Sequence, residues 1–135
     1  MAVFGIGAMY SGTEDMSHEF IRNSVACIGF APSDAPALHL QMSKVKAGDV
    51  MFIKSYVPQS GLHVKAVGIV TDPEFRKITQ SLGWGVGVRW VSHERTTIGK
   101  LHDYCDHVRR GSFYEEFNPE VVSHVIDTLV PLSKV

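Results

Sequence analysis

Short apolar runs separated by Gly, Pro, Ser and Asp turns set the pattern of the chain, and the period lengthens to a helical one only in places. Val3 to Met9 is apolar and glycine-punctuated. It predicts a first strand, with Gly5 and Gly7 marking a bend or a close backbone approach. Ser11-Gly12-Thr13 breaks it, and Thr13 or Asp15 is positioned to cap a helix carrying Met16, Phe20 and Ile21 on one face. Val25 to Phe30 predicts a second strand. Ser33 is the expected cap of a helix through Leu38, Leu40 and Met42, with Pro36 in its first turn.

Lys46-Ala47-Gly48-Asp49 reads as a turn into a strand, Val50 to Tyr56, and Pro58-Gln59-Ser60-Gly61 as the next turn. Leu62 to Thr71 is the longest strand signal. Its middle, Ala66 to Val70, is apolar on both faces, which suits a sheet closed on itself or covered on both sides. Thr71-Asp72-Pro73 is expected to end it. In the strand Gly83 to Val91, period two puts Trp84, Val86, Val88 and Trp90 on one face and Gly85, Gly87 and Arg89 on the other. Glu94 to Ile98 predicts a further strand, and Leu101 to Val108 a short helix. Asn118-Pro119 opens a closing helix to Val130, whose stripe is Val121, Val122, Val125, Ile126 and Leu129. About five or six short strands with two or three flanking helices predict an α+β domain built around a small barrel. Strands and helices do not alternate strictly enough for a doubly wound sheet.

The length, 135 residues with no linker or repeat, fits one domain spanning 1–135. Apolar residues make up 44%, enough for a core, and the two cysteines, Cys27 and Cys105, are too few for a disulfide framework or a cysteine zinc site. The formal net charge of −1 argues against broad electrostatic wrapping of nucleic acid while allowing a small basic patch. No apolar run approaches the roughly 20 residues of a membrane span, and the N-terminus lacks the basic region of a signal peptide. The expected setting is cytoplasmic, without a membrane.

Candidate chemistry is sparse. Gly83-Trp84-Gly85-Val86-Gly87 lacks the spacing and following helix of a dinucleotide turn. His102 and His107 flank Cys105 with Asp103 and Asp106 nearby, and His102 and Asp106 lie four apart on a helix, but a charged surface turn is favoured over a metal site. Cys27 sits in an apolar strand as a small hydrophobe, no elbow surrounds Ser11, Ser55 or Ser92, and no carboxylate pair converges. No catalytic constellation, metal or cofactor is therefore expected. A binding pocket has more support: Tyr10, Phe30, Tyr56, Trp84 and Trp90 fall in or at the ends of predicted strands, where aromatics form a cage for a flat base, and Lys54 and Arg89 supply hydrogen bonds or phosphate contacts.

Three stretches together resemble the EVE domain of the PUA-like superfamily, a relative of the YTH domain. They are Val45-Lys46-Ala47-Gly48-Asp49-Val50-Met51-Phe52-Ile53-Lys54-Ser55, Val64-Lys65-Ala66-Val67-Gly68-Ile69-Val70-Thr71-Asp72-Pro73 and Val86-Gly87-Val88-Arg89-Trp90-Val91. Ala26-Cys27-Ile28-Gly29-Phe30 falls where the family has a short strand beside its pocket. The resemblance covers roughly residues 3 to 98 in order and spacing. It implies a PUA-like β-barrel with flanking helices and a pocket for a flipped or unpaired, often modified, base. Similar domains occur in prokaryotic modification-dependent restriction systems. The family's N-terminal strand usually carries a Trp and then a Lys, whereas this chain reads Phe4-Gly5-Ile6-Gly7-Ala8-Met9-Tyr10. The expected function is a non-catalytic module that reads a modified nucleobase in DNA or RNA, with an effector protein supplying any catalysis. Tyr10, Phe30, Tyr56 and Trp90 form the expected cage, Ser11 and Ser55 read polar edges, and Lys54 and Arg89 contact polar atoms or a phosphate. The alternative is a small-ligand or nucleotide sensor or sponge using the same pocket, and a third class is an interaction subunit docking through the closing helix.

Overall fold

The alternation along the chain becomes a curled sheet in a computed structural model, which describes residues 1–130. The elements run β1 (Val3–Gly7), β2 (Met9–Tyr10), β3 (Glu14–Asp15), α1 (Ser17–Asn23), β4 (Val25–Ile28), α2 (Pro36–Met42) and β5 (Val50–Val57). They continue with β6 (Gly61–Thr79), β7 (Gly83–Ser92), β8 (Thr96–Gly99), α3 (Asp106–Arg109), β9 (Phe113–Glu115) and α4 (Pro119–Leu129). Six strands follow in the order β4-β7-β6-β5-β1-β9, β8 pairs with the early part of β6, and β2 and β3 form a separate small hairpin. All pairs are antiparallel except β1 with β5. The sheet curls enough to bring β1 near β4, so the molecule is mixed α+β and barrel-like, as the strand pattern predicts.

Period two sorts the core. In β1, Phe4 and Ile6 enter one cluster and Val3 the other; in β5, Met51 and Ile53 enter the first, Val50 and Phe52 the second. The first cluster lies in the curl and takes Phe20 from α1 and Met42 from α2. The second takes Val121 and Val125, both wholly buried, from α4. Fully burying side chains of this size contributes roughly 1.5–3 kcal/mol each before the ordering entropy is subtracted. The closing helix thus spends the centre of its apolar stripe on its own sheet. Asn118 caps it as expected, its side chain accepting from the Glu120 N–H at 2.9 Å.

Several boundaries differ from expectation. β6 does not end at Thr71-Asp72-Pro73 but runs to Thr79. Its register against β7 jumps between Asp72 and Arg76, so Pro73, which has no N–H to give, sits in an irregularity rather than in the ladder. The second helix starts at Pro36 with Ala35 at its N-cap, not at Ser33. The helix expected over Leu101 to Val108 is a single turn at Asp106–Arg109, and β9 follows where no strand was expected. Among the described residues no helix is long and apolar enough to cross a membrane.

Candidate functional site

A cavity of about 580 Å³ opens where four chain segments meet. Its walls are the end of β1 with the β2 hairpin, the end of β4, the β5–β6 pair, and the loop between α3 and β9. Each segment is positioned by a nameable contact. Ser11 and Gly12 take left-handed backbone, φ +54° and +74°, and the Thr13 N–H donates to the Tyr10 carbonyl at 3.2 Å, so the hairpin turns tightly over the mouth. The Tyr10 hydroxyl donates to the Leu82 carbonyl at 2.6 Å, and its ring lies so close to Gly29 that a Cβ there would come within 3.0 Å of it. Burial, then the neighbouring Cys27, pushes the Tyr10 phenol well above its ordinary range, so it stays neutral.

The β5–β6 wall carries charge. Ile53 pairs with Ala66 and Lys54 with Val64, which leaves Lys65 as the extra residue of a bulge. Lys65 donates to the Asp15 carboxylate at 3.0 Å and ties the β2–β3 hairpin to the sheet. Burial opposes ionisation of Asp15, but the Ser17 hydroxyl and N–H, with Lys65, hold its carboxyl down to about 2. Lys54 is 8% exposed and its Cε and Nζ lie beside Gly7, its pairing partner on β1. Burial alone lowers the Lys54 ammonium to about 8. Arg110 stands 5.5 Å over the Tyr56 ring, while desolvation and the adjacent Asp106 carboxylate raise the Tyr56 phenol.

Of the eight residues expected from sequence, Tyr10, Ser11, Phe30, Lys54, Ser55 and Tyr56 line this one cavity. Arg89 and Trp90 do not. Arg89 is exposed on β7, and Trp90 packs on the first core with its indole N–H donating to the Val25 carbonyl at 3.0 Å. In register Arg89 and Trp90 pair with Ile69 and Gly68, which face Val50 and Met51 at the start of β5, away from Lys54 to Tyr56 at its other end. Trp84 is likewise engaged elsewhere, against His39 and under Lys77. Lys65, Arg110 and Ser112 join the wall without having been expected. Lys65 had a signal, a lone charge inside an apolar strand; Arg110 and Ser112 arrive through a tertiary contact, the Gly7 N–H donating to the Ser112 carbonyl at 2.8 Å.

That loop is anchored by Arg109, 1% exposed, which donates two bonds to Asp103 at 2.7 Å and two to Glu116 at 2.8 and 2.9 Å. Asn118 adds a bond to Asp103 at 2.8 Å. The Arg109 guanidinium holds the Asp103 carboxyl well below the usual carboxylate range. Asp103 is therefore part of a structural knot rather than a charged surface turn.

Among the described residues hydroxyl–imidazole pairs stand apart from the cavity, and in one Thr96 Oγ1 lies 2.7 Å from His124 Nε2. Ser60 Oγ lies 2.8 Å from His63 Nε2, and His63 Nδ1 lies 3.0 Å from Thr97 Oγ1, which links the β5–β6 turn to β8. A hydroxyl rather than a carboxylate stands behind the imidazole, and the cavity lies elsewhere. Cys27 is buried, its thiol pushed up to about 12. Among the described residues no three His, Cys, Asp or Glu side chains converge as metal ligands. Neither a protein-family model nor a curated protein matches the chain.

Proposed function

We propose that the chain is a non-catalytic binding module that reads an unpaired, modified nucleobase of DNA or RNA in the cavity between β1, β4, β5 and the α3–β9 loop. One observation carries the reading. The cavity wall holds three aromatic rings, Tyr10, Phe30 and Tyr56, and three cationic side chains, Lys54, Lys65 and Arg110, with no acidic residue among those that line it. In a chain of net charge −1 that is a local sorting of charge. Aromatic faces accept a flat base of any sequence, and fixed cations accept its polar edges or its phosphate. The volume falls within the roughly 300–1,000 Å³ of small-ligand sites, which suits one nucleotide rather than a duplex. An EVE/PUA-like assignment goes with this reading, supported by the order of its three sequence stretches and by a curled, barrel-like sheet.

The second reading, a free-nucleotide sensor or sponge, is favoured by the near-neutral net charge, which gives a long strand little surface to follow. A thermal-shift panel separates the two. It compares free nucleosides and nucleotides with short oligonucleotides carrying the same plain and modified bases. Saturation at a hundred times the dissociation constant adds about 2.7 kcal/mol, a rise of roughly 5–10 °C in Tm. Stabilisation by a modified oligonucleotide and not by its plain counterpart is the expected result. Stabilisation by free nucleotides alone replaces the first reading with the second, and no shift in either panel removes both.

A further inference from the structure

Lys54 places a requirement on whatever fills the cavity. Its side chain is more than nine-tenths buried, it lines the cavity, and burial is the sole cause acting on its ammonium, with no ion pair or hydrogen bond to it among the described residues. A lysine buried this far is ordinarily paired, because an ammonium taken from water without a counter-charge is costly. The other cations of the wall add like charge and bring no free counter-charge. Lys65 is committed to Asp15, and Arg110 lies over the Tyr56 ring. The cavity therefore combines aromatic walls with an inner positive charge that has no partner, and it is complementary to a flat ring that brings a negative group inward.

We infer that the ligand is a nucleobase or nucleotide bearing an anion, a carboxylate or a phosphate, that docks on Lys54. This rests on the base-binding reading and adds to it the charge of the ligand, which that reading leaves open. Two sources supply the chemistry: a carboxyl substituent on a base within a strand, or the phosphate of a free mononucleotide.

Calorimetric titration at pH 8, in two buffers of different ionisation enthalpy, tests the inference. The probes are an oligonucleotide with one unpaired 5-carboxycytosine, the same strand with cytosine or 5-methylcytosine there, and cytidine monophosphate. The charged and titratable groups around Lys54 are Lys65 with Asp15 from β6 and β3, Arg110 beyond α3, the phenols Tyr10 and Tyr56, and Asp106 beside Tyr56. Both phenols are raised and Asp15 is lowered, away from the pH of the measurement. An anion seated on Lys54 restores its full protonation, so binding takes up about half a proton.

The anionic probe should bind roughly tenfold or more tighter than its neutral counterpart. Lys54→Met should lose both the preference and the proton uptake, with Lys54→Gln as a second variant should the first fail to fold. Equal binding of neutral and carboxylated strands without proton uptake overturns the inference and leaves the base-reading proposal standing. Binding of cytidine monophosphate but of no strand, with proton uptake, supports the inference and removes the base-reading proposal. No binding by any probe overturns both.

Discussion

At the residue scale, Lys54 is where function and stability pull in opposite directions. An unpaired buried ammonium weakens the empty fold, and the pattern of such conflicts marks sites rather than cores. Lys54→Met should therefore raise the stability of the empty protein, by about 1–2 kcal/mol at pH 7, while weakening ligand binding. The pH dependence follows from the direction of the shift. The folded chain releases the Lys54 proton near pH 8, below the unfolded value of 10.5, so the unfolded state binds more protons between them. Wild-type stability relative to Lys54→Met should consequently rise from about pH 8 to 10.5, and the gap between them should be constant below that window. Denaturant melts of both proteins across this range check it. A gap that stays constant from pH 8 to 10.5 would mean that Lys54 is paired. Lys54 stood out in the sequence because a lysine follows the apolar run Val50 to Ile53 within one strand. Arg89 and Trp90 lie off the cavity because period two fixes the face of a strand but not which part of the neighbouring strands it meets.

At the element scale, the α3–β9 loop is the part of the site that sequence pattern could not supply. Its position depends on Arg109 meeting Asp103, six residues back, and Glu116, seven residues on, in a knot that no hydrophobic period encodes. Removing the guanidinium strands Glu116, itself 5% exposed, beside a half-released Asp103. Arg109→Ala should cost about 3–5 kcal/mol and loosen Arg110 and Ser112 from the cavity wall. A chemical melt gives the first quantity and amide exchange across residues 110–112 the second. Unchanged stability would show that the knot is incidental. The long β6 makes the same point from the other side. Its apolar first half was legible, while its continuation past Pro73 was not, because bulges against β7 are settled by pairing between strands rather than by either strand alone. Asn118-Pro119 was legible down to its cap because that signal is local.

At the scale of the whole molecule, charge is sorted rather than abundant. With 13 Lys and Arg against 14 Asp and Glu, the chain has no general attraction for a polyanion, yet three of its cations line one cavity. Binding of a short single strand should accordingly depend on salt through those three contacts. With Lys65 held by Asp15, the slope of log K against log salt should be no steeper than about −2, following the usual factor of about 0.7 per phosphate contact on a single strand. A slope near −5 would mean that the backbone is tracked along an extended surface and that the cavity is secondary. The fold class was legible at this scale since short apolar runs with turn residues between them leave few ways to bury both faces of a sheet.

The most direct measurement is an amide NMR titration of the intact chain with a short strand carrying one unpaired modified base. The expected changes concentrate on Gly7, Tyr10, Ser11, Gly29, Lys54, Tyr56 and Gly111, which meet at the cavity from four separate segments. Arg89 and Trp90 on β7 should stay still. Changes centred on β7, with the cavity residues unmoved, would contradict the assignment of the site.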